Sequence, residues 1–315
     1  MTDPKESPKD LTAGEPTLNH KSVLVSEVLT YLNPQPNGVY LDVTLGAGGH
    51  TRAILDAEPT CKVIGMDWDQ KTLDIVAPQL EAQYGNRFEA IWGNFATLYR
   101  LQKRFQIGQV NGILADFGTS QMQIHTRDGF SFQHDTPLDM RMSGGHALNT
   151  AAQMLAQASE SYLMAILRDY GEEHKARAIA QAIVAQREVK PITTTKELAD
   201  LVIKVLRKKN PRMLHGPTHP ATKTFQALRI AVNKELENIE LFLPVALNML
   251  APGGRLVCIS FHSLEDRIVK TFFRNHAQDQ TMQLITKKAV MATPEEIARN
   301  KSSRSARLRA IEKIK

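Results

Sequence analysis

The sequence predicts an α/β protein with a mostly parallel sheet and an inserted helical subdomain. Short β-rich runs alternate with helical patterns from Val39 to Asp116, and the alternation then stops until Pro220. Strands that alternate with helices favour parallel pairing through right-handed crossovers, with helices on both faces of the sheet. The middle of the chain keeps a helical period throughout, which indicates an insertion between two parts of one sheet.

A glycine-rich turn follows the first predicted strand, residues 39–43. Gly46, Gly48 and Gly49 stand within four positions, and a helix-compatible segment begins at Thr51. Glycines permit positive φ angles and close approach of a ligand, and a helix start offers unpaired N–H groups. The pattern predicts the entry to a nucleotide-like cofactor site. Because Thr51 stands where the dinucleotide fingerprint has its third glycine, a turn without a ligand stays open as the alternative.

The later strands of this half are predicted at residues 62–67, 88–92 and 110–116. In a parallel sheet their carboxyl ends meet at one edge, beside the first strand. Asp67 ends the second strand and suits a ribose diol, although it could instead cap the next helix. Phe95 follows the third strand and could pack on an adenine ring or within the core.

The fourth strand ends in Asp116-Phe117-Gly118-Thr119-Ser120. Polar groups placed directly after a buried strand are costly unless they are used or solvated. Asp116, Thr119 and Ser120 are therefore the candidates for the reacting end of the site. A second glycine is missing from this segment, so a hydrolase nucleophile elbow is disfavoured.

Three helical segments are predicted in the insertion, at residues 150–170, 172–188 and 195–209. A capping box at residues 194–197 marks the start of the third. We place the boundaries near Arg127 and Gly216, so that 126–216 is a substrate-recognition subdomain and 20–125 with 217–315 form the cofactor-binding domain. Residues 1–19 lack an apolar run and predict a disordered tail, not a signal peptide.

After Pro220 one long helix is predicted, with apolar residues at helical spacing from Phe225 to Leu243. A strand at 255–261 resumes the sheet, and 282–288 with 307–314 are expected to close its edge as an antiparallel pair. The longest apolar stretch, 241–251, is too short to span a membrane.

The composition is that of an ordinary globular protein with a basic balance. Its 315 residues carry a net charge of +6 and only two cysteines, Cys61 and Cys258. Two distant cysteines predict buried thiols and a cytoplasmic protein without metal-binding cysteine spacing. Gly216 and Pro217 keep His215 and His219 off one helical face, so no metal site is predicted there. Basic clusters at 204–212 and 299–309 favour phosphate contacts.

Nine sequence blocks, in order along the chain, resemble one known family, and so many together are more specific than a glycine loop. They stand at residues 20–24, 42–51, 116–120, 129–132, 137–142, 171–173, 220–229, 259–267 and 304–309. The chain resembles the MraW-type methyltransferases, also called RsmH, which use S-adenosylmethionine to methylate N4 of a decoding-centre cytidine in bacterial 16S ribosomal RNA. The resemblance implies a class I methyltransferase (Rossmann-like) sheet and the small ribosomal subunit as partner.

Carried over position by position, the resemblance implies a set of cofactor contacts. They are Gly48, Gly49, His50, Asp67, Phe95, Asp116 and Gln123. On the RNA side we predict two stacking aromatics and five basic groups. They are Phe130, Phe132, Arg141, Lys223, Arg229, Arg304 and Arg307.

Some positions depart from the family pattern, mostly on the substrate side. Lys223 stands where arginine is usual, and Asn300-Lys301-Ser302 replaces the common Asn-Pro-Arg. Lysine and arginine are not equivalent in a bidentate contact. Two alternatives therefore stay open: a methyltransferase for another acceptor, and a ribosome-associated binding protein that has lost turnover. A nicotinamide dehydrogenase ranks below both.

Overall fold

The structure is a computed structural model that describes residues 21–118, 128–131, 134–143, 149–209, 219–278 and 280–315, without the side chains of 208 and 209. The predicted tail at 1–19 lies outside these residues. Several predicted site residues also lie outside them. They are Thr119, Ser120, Gln123 and Phe132. His215, where no metal site is predicted, also lies outside the described residues.

The strands of the described chain form one eight-stranded sheet. They are β1 Val39–Asp42, β2 Lys62–Asp67, β3 Phe88–Trp92, β4 Val110–Asp116, β5 Leu250–Ser260, β6 Met282–Leu284, β7 Val290–Met291 and β8 Arg307–Lys313. Their order is β3-β2-β1-β4-β5-β8-β6, and β7 pairs with β8. Strands β1 to β5 pair in parallel, whereas β8 runs antiparallel to β5, β6 and β7. The mostly parallel, Rossmann-like sheet and its antiparallel closing pair are thus confirmed.

Helices cover the sheet and form the inserted region. They are α1 Val25–Leu32, α2 Gly49–Ala57, α3 Gln70–Tyr84, α4 Leu98–Arg104, α5 Ala151–Gln157, α6 Glu160–Asp169, α7 Ala176–Val189, α8 Thr195–Lys209, α9 Thr222–Asn233, α10 Glu235–Met249, α11 Ser263–His276 and α12 Pro294–Arg299. Short 3-10 helices stand at Gly85–Arg87, Phe95–Thr97 and Lys301–Ser305.

Side chains on the two faces of the sheet pack into two separate hydrophobic cores, and successive residues of a strand alternate between them. On β1, Leu41 belongs to the core that contains α10, whereas Tyr40 belongs to the core that contains α1 to α3. On β4, Ile113 and Leu114 divide in the same way. This is the period of two that a strand imposes, so each face of the sheet buries its own helices.

A third core lies within the helical region and holds it together. It joins apolar residues of α5 to α8 with Phe225, Leu228 and Val232 of α9. Helix α9 therefore packs on the inserted helices, although it follows the predicted insertion boundary.

The prediction of one long helix after Pro220 is wrong. The chain forms α9 and α10, which are separated by Lys234 in the left-handed conformation at φ 51°. Asn233 explains the break, because its buried amide accepts from the N–H of Met142 at 2.8 Å and donates to the carbonyl of Met140 at 2.8 Å. These contacts tie the helix end to a distant loop.

Two other boundaries also differ from the prediction. The segment predicted as a single helix at 150–170 is divided between α5 and α6, because Ser159 caps a second helix start by accepting from the N–H of Tyr162. Strand β5 begins at Leu250 and passes through Pro252 and Gly253, where the register with β4 shifts. A proline fits a strand at such an irregularity.

Both cysteines are buried and free of a disulfide. In the described part of the chain, every helix is too short or too polar to cross a membrane.

Candidate functional site

A cavity of about 390 Å³ opens at the carboxyl ends of the parallel strands. Its walls come from the turn after β1, the ends of β2, β4 and β5, the junction of α9 with α10, and the 3-10 helix Lys301–Ser305. Open parallel sheets bind ligands at this edge, where the strand order reverses beside β1. The topology therefore brings the predicted site residues of separate strands to one place.

Asp67 is held at one end of the cavity by main-chain groups. Its Oδ2 accepts from the N–H of Gly46 at 2.8 Å, and its Oδ1 accepts from the N–H of Asp69 at 2.9 Å. The side chain is buried, and this burial raises the pKa of Asp67 to about 6 despite the two hydrogen bonds. A carboxylate held in this way can accept two further hydroxyl donors.

The three glycines of the turn differ in what they contact: one lines the cavity, and two are packed against neighbouring side chains. Gly46 lines the cavity and has φ +50°. Gly48, at φ +77°, lies outside the lining, and a Cβ there would stand 3.0 Å from Leu80 and 3.1 Å from Val76. A Cβ on Gly49 would stand 2.2 Å from the Oγ of Ser22. The cofactor contacts implied for Gly48 and Gly49 stay predictions, while the structure shows how both permit the turn to pack.

His50 lies at the start of α2 and lines the cavity. Its Nε2 stands 2.8 Å from the carbonyl oxygen of Val23, and its Nδ1 stands 3.8 Å from Oδ2 of Asp116. Because a carbonyl can only accept, Nε2 carries the proton and Nδ1 of the neutral ring has a lone pair. Burial lowers the pKa of His50, against the effect of the nearby Asp42.

Asp116 ends β4 on the cavity wall, with its N–H donating to Oγ1 of Thr44 at 2.7 Å. Its Oδ1 is buried and has no hydrogen-bond partner among the described residues. Burial, followed by the charges of Asp42 and Glu265, raises the pKa of Asp116 well above its usual range. A carboxyl group in this setting is a strong proton acceptor once it is ionised.

Phe95 packs in the core and also lines the cavity. Its ring packs on Phe117 at 5.7 Å and on Phe242 at 5.4 Å between centroids, so it joins the core. It also lines the cavity. The adenine contact stays a prediction, for which this position leaves room.

Charged side chains gather at the other end of the cavity. Arg229 donates to both carboxylate oxygens of Glu235, at 2.8 Å each. Glu265, which is 1% exposed, accepts from the N–H groups of Phe261 and His262 at the start of α11. Burial acts to raise the pKa of Glu265, but His262, the main-chain hydrogen bond and Arg229 together lower it. Glu265 is thus a buried carboxylate that stays ionised.

Three of these groups have the spacing of metal ligands, because atoms of Glu235, His262 and Glu265 lie within 4.8 Å of one another. However, Nδ1 of His262 accepts from the N–H of Glu265 at 3.4 Å. The proton is therefore on Nε2, which stands 3.3 Å from Oε1 of Glu265 without hydrogen-bond geometry. A metal would need the lone pair of Nε2, so the tautomer disfavours metal binding here.

The predicted RNA residues are spread over more than one surface. Arg229 and Arg304 line the cavity. Arg141 pairs with Asp139 through two oxygens, and Lys223 donates to the carbonyl of Glu172 at 2.9 Å. Of the remaining described positions, Phe130 is half-buried and Arg307 stands on β8, both outside the cavity lining.

Several cavity groups were missed as site residues at the sequence level. They are Thr44, Glu235, Asn238, His262 and Glu265. His262 and Glu265 stand inside a block that carries the family resemblance, which was the available signal. No sequence signal pointed to Glu235, because its pairing with Arg229 depends on the end of one helix and the start of the next between α9 and α10.

Comparison with known proteins gives a consistent result over nearly the whole chain. The model of the MraW methylase family matches residues 17–314. The chain is 46% identical to "Ribosomal RNA small subunit methyltransferase H" of Geotalea uraniireducens, over 94% of this chain and 99% of that protein. It is 44% identical to the protein of the same name from Geobacter sulfurreducens, over 95% and 100%. With the turn, the strand-end carboxylates and the sheet order, these matches show that the chain belongs to the MraW methylase family.

Proposed function

We propose that this protein transfers a methyl group from S-adenosylmethionine to N4 of a decoding-centre cytidine in 16S ribosomal RNA. The single observation that carries the proposal is Asp116, a carboxyl group with a raised pKa on the wall of a strand-edge cavity in a chain of this family. The curated relatives are named for methylation of small-subunit RNA, and we extend that substrate to this chain.

The cofactor half of the cavity suits a nucleoside. Asp67 accepts the two ribose hydroxyls, because both of its oxygens are already oriented by main-chain N–H groups. Phe95 offers one ring face to the base, and the turn at Gly46 and Ala47 brings main chain close to the ligand. When bound, S-adenosylmethionine supplies a methyl group on a cationic sulfonium.

The acceptor half suits an exocyclic amine. Its lone pair is delocalised into the cytosine ring, so the site must hold the nitrogen in line and accept a hydrogen as the nitrogen pyramidalises. Asp116 performs this step by accepting the proton on its carboxylate. Thr119 and Ser120 are further acceptors that we propose from the sequence.

The RNA is held outside the cavity by the basic groups and the helical region. A cytosine in structured RNA must leave its stack, at a cost of a few kcal/mol. Arg304 on the 3-10 helix Lys301–Ser305 supplies positive charge at the rim. We assign RNA recognition to residues 126–216, on the ground that their helices share a core with α9 that is separate from the two cores of the sheet.

The test is mass mapping of small-subunit RNA from cells with and without the gene. We expect one cytidine of the decoding centre to lose a methyl group when the gene is removed, and to regain it when the gene is restored. An unchanged map would contradict the proposal and favour another acceptor or a protein without turnover. Calorimetry with S-adenosylmethionine and a nicotinamide dinucleotide would identify the cofactor independently.

A further inference from the structure

A buried histidine lies near the proposed proton acceptor and is acted on by a second carboxylate. His50 is 5% exposed, and it interacts electrostatically with Asp42 and lies near Asp116. Asp42 is itself 1% exposed and accepts from the hydroxyl of Thr51 at 2.8 Å and from the N–H of Thr44 at 3.2 Å. Both of these partners donate to the carboxylate and act to lower the pKa of Asp42, but burial is the larger effect and raises it.

The orientation of His50 is fixed by the segment that precedes α1. Nε2–H of His50 donates a hydrogen bond to the carbonyl of Val23 at 2.8 Å. The next residue, Leu24, donates its N–H to Glu296 of α12 at 2.7 Å. The lone pair on Nδ1 therefore stands on the side of Asp116, 3.8 Å from Oδ2. This gap is about 1 Å longer than a hydrogen bond, and catalytic contacts commonly tighten when the substrate binds.

Asp116 needs such a neighbour if it is to work as a proton acceptor. It can accept a proton only while it is ionised, and its burial beside Asp42 and Glu265 favours the protonated form. Among the described charged groups, Asp42 on β1, Glu265 on α11 and Glu296 on α12 act on the pair. Asp42 and Glu296 act to raise the pKa of His50 and so favour a positive charge on the imidazole, whereas burial, the larger effect, acts to lower it.

We propose that His50 is a positioning residue that holds the proton released by the substrate amine, acting through Asp116. The inference rests on the proposed function, in which Asp116 is the first acceptor. His50 thus has a role in the reaction in addition to the cofactor contact that the family resemblance implies.

The proton balance is simple. The amine lone pair forms the N–CH₃ bond while the S–CH₃ bond breaks and sulfur keeps that electron pair. The N–H bond then breaks towards nitrogen, and the proton passes to the carboxylate of Asp116. Oδ2 of Asp116 passes it to Nδ1 of His50, which leaves an imidazolium near the carboxylates of Asp42 and Asp116 and returns Asp116 to its ionised form.

The test compares His50→Gln with the wild type in single-turnover methyl transfer from pH 5.5 to 9. Glutamine can still donate to the carbonyl of Val23, but it cannot take a proton. We expect the rate at pH 7 to fall about tenfold to a hundredfold. We also expect the acidic limb of the profile to move upward by about one pH unit, because Asp116 then titrates alone.

The matched control is His276→Gln on α11. Its Nδ1 stands 3.0 Å from the carbonyl of Phe272, outside the cavity lining, so the profile should not change. Cofactor affinity of each variant is measured by calorimetry, which separates loss of binding from loss of proton transfer. If His50→Gln binds the cofactor and keeps both the wild-type rate and the wild-type profile, the inference is overturned.

A second measurement does not depend on turnover. Imidazole nitrogen shifts in the folded protein should show His50 protonated on Nε2 at neutral pH, and Asp116→Asn should change its titration. A titration unaffected by Asp116→Asn would overturn the coupling even if methyl transfer is found. Conversely, if the wild type methylates no RNA while the coupling is present, the proposed function fails and the pairing of His50 with Asp116 stands.

Discussion

The two ends of the cavity differ in the groups that hold their charged residues in place: main-chain groups at one end and side chains at the other. At the cofactor end, Asp67 is fixed by N–H groups of Gly46 and Asp69, which belong to the main chain of adjacent strand ends. At the other end, which we assign to the methyl acceptor and call the acceptor end, the side chains of Arg229 and Glu235 pair across the junction of α9 and α10. The first arrangement follows from the sheet, whereas the second depends on how distant segments meet.

This difference predicts how each end responds to change. Main-chain N–H groups remain in place after most side-chain substitutions. A substitution at the cofactor end should therefore lower the affinity for the cofactor without unfolding the protein. A partly buried ion pair leaves an uncompensated charge when one member is removed, so the acceptor end should lose stability as well as function.

The largest effect is expected at Asp116, the proposed proton acceptor on the cavity wall. Asp116→Ala removes the proton acceptor and should lower methyl transfer about a thousandfold. Single-turnover assays with labelled cofactor measure the rate, and circular dichroism checks the fold. Asp116→Asn is the matched variant of equal size. Normal turnover in either variant would show that another group accepts the proton.

The next effect is at the ion pair. Glu235→Gln removes the negative charge that pairs with the guanidinium of Arg229 and should lower the free energy of unfolding by about 3 kcal/mol. Urea denaturation measures this change. The double variant Arg229→Met with Glu235→Leu should recover part of the loss, since both charges of this pair are then removed. The recovery should be incomplete, because the buried Glu265 loses the charge of Arg229. If the double variant is less stable than Glu235→Gln, the attraction within the ion pair exceeds the free energy needed to remove its two charges from water.

A smaller effect concerns pH at the cofactor end. Ribose hydroxyls donate to the ionised form of Asp67, whose pKa is raised to about 6. Affinity for the cofactor should therefore be constant above this pH and fall about tenfold per unit below it. Calorimetry across pH 4.5 to 8 measures the dependence, and Asp67→Asn should bind weakly with a flat profile. A flat profile in the wild type would remove Asp67 from the site.

The smallest effect separates packing from binding within the glycine turn. Gly48→Ala should cost about 2 kcal/mol of stability, because φ is +77° and the new Cβ meets Leu80 and Val76. Gly46→Ala should cost about 1 kcal/mol, since its space is open, but it should weaken cofactor binding because Gly46 lines the cavity. Urea denaturation measures the stability of both variants, and calorimetry measures their affinity for the cofactor. If the two variants lose the same stability and the same affinity, the separation of packing from binding is contradicted.

Sequence reasoning works where structure is local. Strands β2, β3 and β4 were predicted with their observed bounds, because each is a short apolar run between turn signals. The same holds for Asp67 and Asp116, since a polar residue directly after such a run must lie at the sheet edge. His50 was named only through the family resemblance, as nothing beside it predicts the contact with Val23.

Sequence reasoning fails where distant segments decide the structure. The helical period continues through Asn233 and Lys234, and only the contact of Asn233 with Met140 and Met142 shows why the helix ends. The pairing of Arg229 with Glu235 depends on that break, so the acceptor end could not be assembled from the sequence alone.

The central claim is tested most directly by the product of the reaction. The purified protein is incubated with methyl-labelled S-adenosylmethionine and with small ribosomal subunits from cells that lack the gene, and the RNA is digested to nucleosides for mass spectrometry. The account predicts label in N4-methylcytidine from a single decoding-centre position with the wild type, and none with Asp116→Ala. Label in another nucleoside, label only in protein, or no label with active cofactor binding would contradict it.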